Sequence, residues 1–139
     1  MNRREFAALS VASTFATTLP SLAAVNGSIE YSTGLVTKRL AAGEVVFLDF
    51  SATWCATCKA QERVINALVA ENPAYGQAIT FVNVDWDNYG SGELSNALNI
   101  PRRSTLVVLK GNQELGRVVA GTSKKVIKQL LDVALKAAT

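Results

Sequence analysis

The sequence predicts an α/β domain built on a central mixed β-sheet with helices on both faces. Three observations carry this prediction. The stretches VVFLDF (45–50), ITFVNV (79–84) and STLVVLK (104–110) contain long apolar runs, as expected of strands covered on both sides. Helix-patterned segments separate them, and a crossover through a helix brings successive strands parallel. Gly111-Asn112 then lies between two strand-like runs and makes a hairpin, which adds antiparallel pairing at the end of the chain.

Taken in order, Ile29 to Tyr31 forms a short strand, and Ser32 or Thr33 caps a helix whose Leu35, Val36 and Leu40 share one face before Gly43 stops it. The 45–50 strand takes the centre of the sheet. From Lys59 to Ala70, Val64, Ile65, Leu68 and Val69 recur at helical spacing, and Asn72-Pro73 ends the helix. Strand 79–84 leads into a loop, DWDNYGSG (85–92), and a short helix from Glu93 to Leu98. The 104–110 strand turns at Gly111-Asn112 and returns from Glu114 to Val119. Val126, Leu130, Leu131, Val133 and Leu135 drive a terminal amphipathic helix.

The first residues, MNRREFAALSVASTFATTLPSLAA, have the charged, apolar and small-residue order of an export signal. Arg3 and Arg4 followed by Phe6 resemble a twin-arginine signal, which implies a bacterial periplasmic location. The expected division is residues 1–23 as signal and 24–139 as one domain. The uncharged stretch from Phe6 to Leu19 is shorter than the roughly 20 apolar residues of a spanning helix. An uncleaved membrane anchor is therefore the lesser alternative. Without Arg3, Arg4 and Glu5 the balance is 12 basic and 10 acidic residues, with no basic block, so nucleic acid is not an expected partner.

The chain of 139 residues has no histidine and two cysteines, Cys55 and Cys58. The lack of histidine excludes a Cys-His catalytic dyad and a mixed Cys/His zinc site. A bridge across two residues closes too small a loop to remove much entropy from the unfolded chain, so the pair is a poor staple. Its position serves chemistry better. Cys55 falls where a helix begins, and free backbone N–H groups with the positive end of the helix dipole favour its thiolate. Cys58 lies one turn further in, within reach of a mixed disulfide formed on Cys55, and disulfide exchange follows without an added cofactor or metal.

The segment VVFLDFSATWCATCK resembles the active-site segment of the thioredoxin family: a hydrophobic strand carrying Asp, then Trp-Cys-x-x-Cys-Lys. The element order fits as well, and the resemblance runs from about Ile29 to the C-terminus. It implies a thioredoxin fold and a thiol:disulfide oxidoreductase with protein disulfides as clients. Cys55 is then the attacking thiol, Cys58 the resolving thiol, Asp49 the buried proton acceptor for Cys58, and Trp54 a lid beside them. It also implies an external thiol reductant or membrane electron carrier, and a monomer.

Two departures qualify the match. Relatives carry a cis-proline just before the strand that faces the cysteines. In NIPRRSTLVVLK that position falls on Ser104, leaving Pro101 as a turn proline; the rival alignment makes Pro101 the cis residue and 102–104 an insertion. A cis bond before serine costs about 3–4 kcal/mol, so Arg103-Ser104 is trans unless packing insists. Arg103, Ser104 and Thr105 are the expected substrate-facing residues, with the guanidinium groups of Arg102 and Arg103 available to a thiolate or an acidic client. Phe81 stands where many relatives place a lysine near the buried carboxylate, and without a cation burial raises the Asp49 pKa. Ala56-Thr57 between the cysteines points to a reducing to intermediate potential. The readings weighed against this one are a metal or iron–sulfur site shared by two CxxC pairs, a binding module without turnover, and peroxide reduction at Cys55.

Overall fold

The computed structural model describes residues 27–139, and the expected signal at 1–23 lies outside them. The strands are β1 (Ile29–Glu30), β2 (Val45–Ser51), β3 (Ile79–Asp85), β4 (Thr105–Lys110) and β5 (Gln113–Val119). The helices are α1 (Leu35–Ala41), α2 (Ala56–Glu71), α3 (Ala74–Ala78), α4 (Trp86–Tyr89), α5 (Glu93–Ala97) and α6 (Lys124–Ala138). The strands make one sheet in the order β1-β3-β2-β4-β5. β3 pairs parallel with both β1 and β2, and β4 pairs antiparallel with β2 and β5. The sheet is thus mixed, as the crossover helices and the late hairpin require.

The apolar run of β2 occupies the middle of this order because both its faces are covered. On one face Phe47 packs with Ile65 and Leu68 of α2, Phe81 of β3 and Ile127 and Leu131 of α6. On the other, Val46, Leu48 and Phe50 pack with Val36 of α1, and with Trp86, Tyr89 and Leu94 of α4 and α5. Asp49 is the one charged residue in this strand, and it points to the same face as Phe47, towards α2.

Three local expectations are corrected. Neither Ser32 nor Thr33 caps α1; the cap is Gly34 at φ 87, with no side-chain cap bond, a left-handed conformation that glycine adopts readily. Gly43 at φ 83 does follow the end of that helix, as expected. α2 begins at Ala56, as expected of a helix that starts at Cys55: Cys55 itself takes the N-cap, its sulfur accepting from Cys58 N–H. The expected loop at 85–92 contains α4, capped by Asp85 accepting from Asp87 N–H. In α6 the buried stripe is Ile127, Leu130, Leu131 and Ala134, whereas Val126 and Val133 remain 40% and 41% exposed.

Candidate active site

The loop from β2 into α2 carries Trp54 and Cys55, and the first turn of α2 carries Cys58. Cys55 and Cys58 are disulfide-bonded, with Cα atoms 5.3 Å apart. They are 2% and 3% exposed, packed with Ala52 and against Trp86. Cys58 N–H donates to Cys55 Sγ at 3.2 Å. A free helix N–H therefore already points at the sulfur whose thiolate it would stabilise.

Opposite them lies Ser104, wholly buried, its Oγ 3.1 Å from each sulfur. Thr105 follows as the first β4 residue and pairs with Phe50, while Ser104 N–H donates to Phe50 O at 2.7 Å. The register therefore places Ser104, not Pro101, against the cysteines. All described peptide bonds are trans, and Ser104 reaches its place with φ 61.

The other expected residues divide between those facing the sulfurs and those holding the surrounding loops. Thr105 is buried and its hydroxyl donates to Arg102 O at 2.7 Å. Arg102 Nε in turn donates to Arg103 O at 3.0 Å, so this carbonyl is already engaged within the turn. The Arg103 guanidinium stands 4.5 Å from the Trp54 ring centroid, a cation–π contact. Trp54 is 58% exposed and its indole N–H donates to both carboxylate oxygens of Asp87 at 3.1 Å. Trp54 thus forms a surface stack with Arg103 and Asp87, and the indole that packs on the disulfide is that of Trp86.

Asp49 lies behind Cys58. Both line one cavity of about 530 Å³, together with Glu30, Lys59, Glu62 and Phe81. Asp49 keeps some exposure as a residue, yet its Oδ1 is shielded from solvent and has no hydrogen-bond partner. Burial, reinforced by the negative charges of Glu62 and Glu30, pushes the carboxyl up to about 7. Phe81 packs on Phe47, ring centroids 5.2 Å apart, and brings no cation to offset this. A carboxyl poised near neutrality on the wall that also holds Cys58 can take up or return a proton at ordinary pH.

Gln61, absent from the expected site, is a further part of it. One turn beyond Cys58 and wholly buried, its amide donates to Ser104 O at 3.0 Å and Gly121 O at 2.9 Å. It ties α2 to the segments before β4 and after β5, and so fixes Ser104 relative to the sulfurs. A signal for it is present in the sequence: positions 58, 61, 65 and 68 share one helical stripe, and the other three are cysteine, isoleucine and leucine.

A cysteine pair at a helix tip, a buried carboxyl behind it and this sheet order together define a thioredoxin-fold redox site. The Thioredoxin family pattern matches residues 32–133, and the chain belongs to the thioredoxin family. It is similar to a thioredoxin H of Arabidopsis thaliana, 30% identical over 87 residues covering 63% of this chain and 53% of the relative. It is also similar to the thioredoxin of Chlamydia pneumoniae, 31% identical over 91 residues covering 66% and 83%. The chain spans little more than half the length of the first plant relatives it matches, 53% and 59%. Among solved structures, Trxlp of Edwardsiella tarda EIB202 superposes with a TM-score of 0.65 at 30% identity, covering 75% of this chain and 98% of that one.

Proposed function

We propose that the protein is an exported thiol:disulfide oxidoreductase that reduces or reshuffles disulfides in client proteins. The observation that carries this reading is the Cys55–Cys58 disulfide at the tip of α2 with Asp49 on the wall of the cavity behind Cys58. In the reduced protein the Cys55 thiolate attacks a client disulfide, forms a mixed disulfide and releases one client thiolate. Cys58 then gives its proton to Asp49, and its thiolate attacks Cys55 Sγ. The Cys55–Cys58 bond forms, the mixed disulfide breaks, and the second client thiolate leaves. Two electrons pass to the client. An external thiol reductant or membrane electron carrier restores the dithiol, since the exchange consumes it.

Export to a bacterial periplasm rests on the leader sequence with Arg3 and Arg4, and action as a monomer rests on the family resemblance. The Ala56-Thr57 pair and the lack of histidine support a reducing to intermediate potential. Insulin reduction by dithiothreitol tests the activity: the protein accelerates it and Cys55→Ser abolishes the acceleration. Equal rates for the two proteins refute the reading.

A further inference from the structure

We propose that the Ser104 hydroxyl is a catalytic hydrogen-bond donor shared by the two sulfurs, serving whichever one carries the negative charge. The proposal rests on the thiol:disulfide exchange assigned above to the same site.

The geometry is the first ground. Ser104 Oγ is equidistant from the sulfurs, 3.1 Å from each, and among the described residues its hydrogen-bonding contacts are to sulfur alone. The backbone leaves the residue little freedom to turn elsewhere. Its N–H donates to Phe50 O at 2.7 Å, and its carbonyl accepts from Ala120 N–H at 2.8 Å and Gln61 Nε2 at 3.0 Å. It holds φ 61, which is uncommon for a residue with a Cβ. Surrounding hydrogen bonds therefore maintain a strained conformation whose result is a hydroxyl placed between two sulfurs.

The second ground is the scarcity of other donors. The chain has no histidine, and the Arg103 guanidinium lies over the Trp54 ring with its buried Nε bonded to neither sulfur. At Cys55 Sγ the donors are Cys58 N–H and the Ser104 hydroxyl.

A disulfide sulfur is a weak acceptor, whereas a thiolate forms a charge-assisted bond. The hydroxyl therefore favours the reduced, ionised site over the oxidised one. In the first exchange it donates to the Cys55 thiolate. Once that sulfur is tied to the client, the hydroxyl turns to Cys58 as its proton leaves for Asp49, and it stabilises the second nucleophile. It donates hydrogen bonds throughout without giving up its proton, so the electron balance of the exchange is unchanged.

The test compares the full chain with Ser104→Ala and Ser104→Gly. Alanine removes only the oxygen. Glycine also relieves the positive φ, so it provides a folded variant where alanine is poorly tolerated. Thiolate absorbance of the reduced proteins is titrated, and each protein is equilibrated with glutathione. We expect the lower thiol midpoint to rise by about one pH unit in both variants, which corresponds to about 1.4 kcal/mol. The exchange constant should move roughly tenfold towards the disulfide, about 30 mV. Variants with wild-type midpoint and wild-type exchange constant overturn the proposal. Insulin reduction by the wild type separates the two readings. If it proceeds while the variants titrate unchanged, the hydroxyl has no such part and the oxidoreductase reading stands. If the wild type fails to reduce insulin, that reading falls and takes the catalytic part of Ser104 with it.

Discussion

Replacing Asp49 by asparagine keeps the side chain's shape and removes its charge. In the folded, oxidised protein the carboxyl holds its proton up to about pH 7, whereas in the unfolded chain it releases it near 3.8. Between those limits the folded state binds more protons, so wild-type stability falls as pH rises from about 4 to about 7 and levels off above. A gap of about three pH units at about 1.4 kcal/mol each gives a ceiling of about 4 kcal/mol. The partial exposure of the residue and relaxation of the cavity bring the expected value to between about 2 and 4 kcal/mol. Urea unfolding of both oxidised proteins from pH 4 to pH 9 measures it. The variant should match the wild type near pH 4 and exceed it by that margin at pH 8.5. Other titrating groups, such as Asp132, whose pKa is lowered mainly by its hydrogen bond with Lys128, largely cancel in the comparison. Two stability curves that run parallel across this range would refute the assignment of a buried, charge-averse carboxyl.

Further outcomes follow from the packing and the site. Gln61→Leu strands Ser104 O without one of its donors, frees Gly121 O and should cost about 1–3 kcal/mol in urea unfolding. Ile127→Ala, at the centre of the α6 core stripe, should cost about 2–5 kcal/mol by cavity formation. Val133→Lys on the neighbouring exposed stripe should stay within about 0.5 kcal/mol of wild type, and a larger loss would contradict the observed helix phase. Arg103→Gln removes the cation over Trp54 and should lower stability by no more than about 1 kcal/mol, with a change in tryptophan emission as the ring loses its partner.

The sheet was legible because β2, β3 and β4 are covered on both sides and advertise it as largely apolar runs. The cysteine pair was legible because it falls where a strand gives way to a helix, and Asp49 was legible through the resemblance of VVFLDFSATWCATCK to the thioredoxin active-site segment. α6 was harder. Val126, Leu130 and Val133 make one helical stripe and Ile127, Leu130, Leu131 and Ala134 another, and only the position of the sheet decides which is buried. Cap Gly34 was obscured by two adjacent hydroxyl residues that are stronger capping candidates on composition alone. Trp86 reaches the cysteines from the end of β3, and Gln61, on the cysteines' own helix, reaches Ser104 O and Gly121 O; both sets of contacts depend on long-range pairing. Ser104 shows both limits, since its alignment with the sulfurs could be read from the strand that follows, while its positive φ and shared sulfur contacts could not.

The central claim is that a sulfur at the tip of α2 is ionised and its neighbour resolves what it captures. Alkylation of the fully reduced protein with iodoacetamide from pH 4 to pH 10, with each site followed separately by mass spectrometry, tests it most directly. Cys55 should react first, with a midpoint below the reference cysteine value of about 8.5, and Cys58 should lag behind it. Two cysteines reacting at the same slow rate, both with midpoints at or above that value, would contradict the claim.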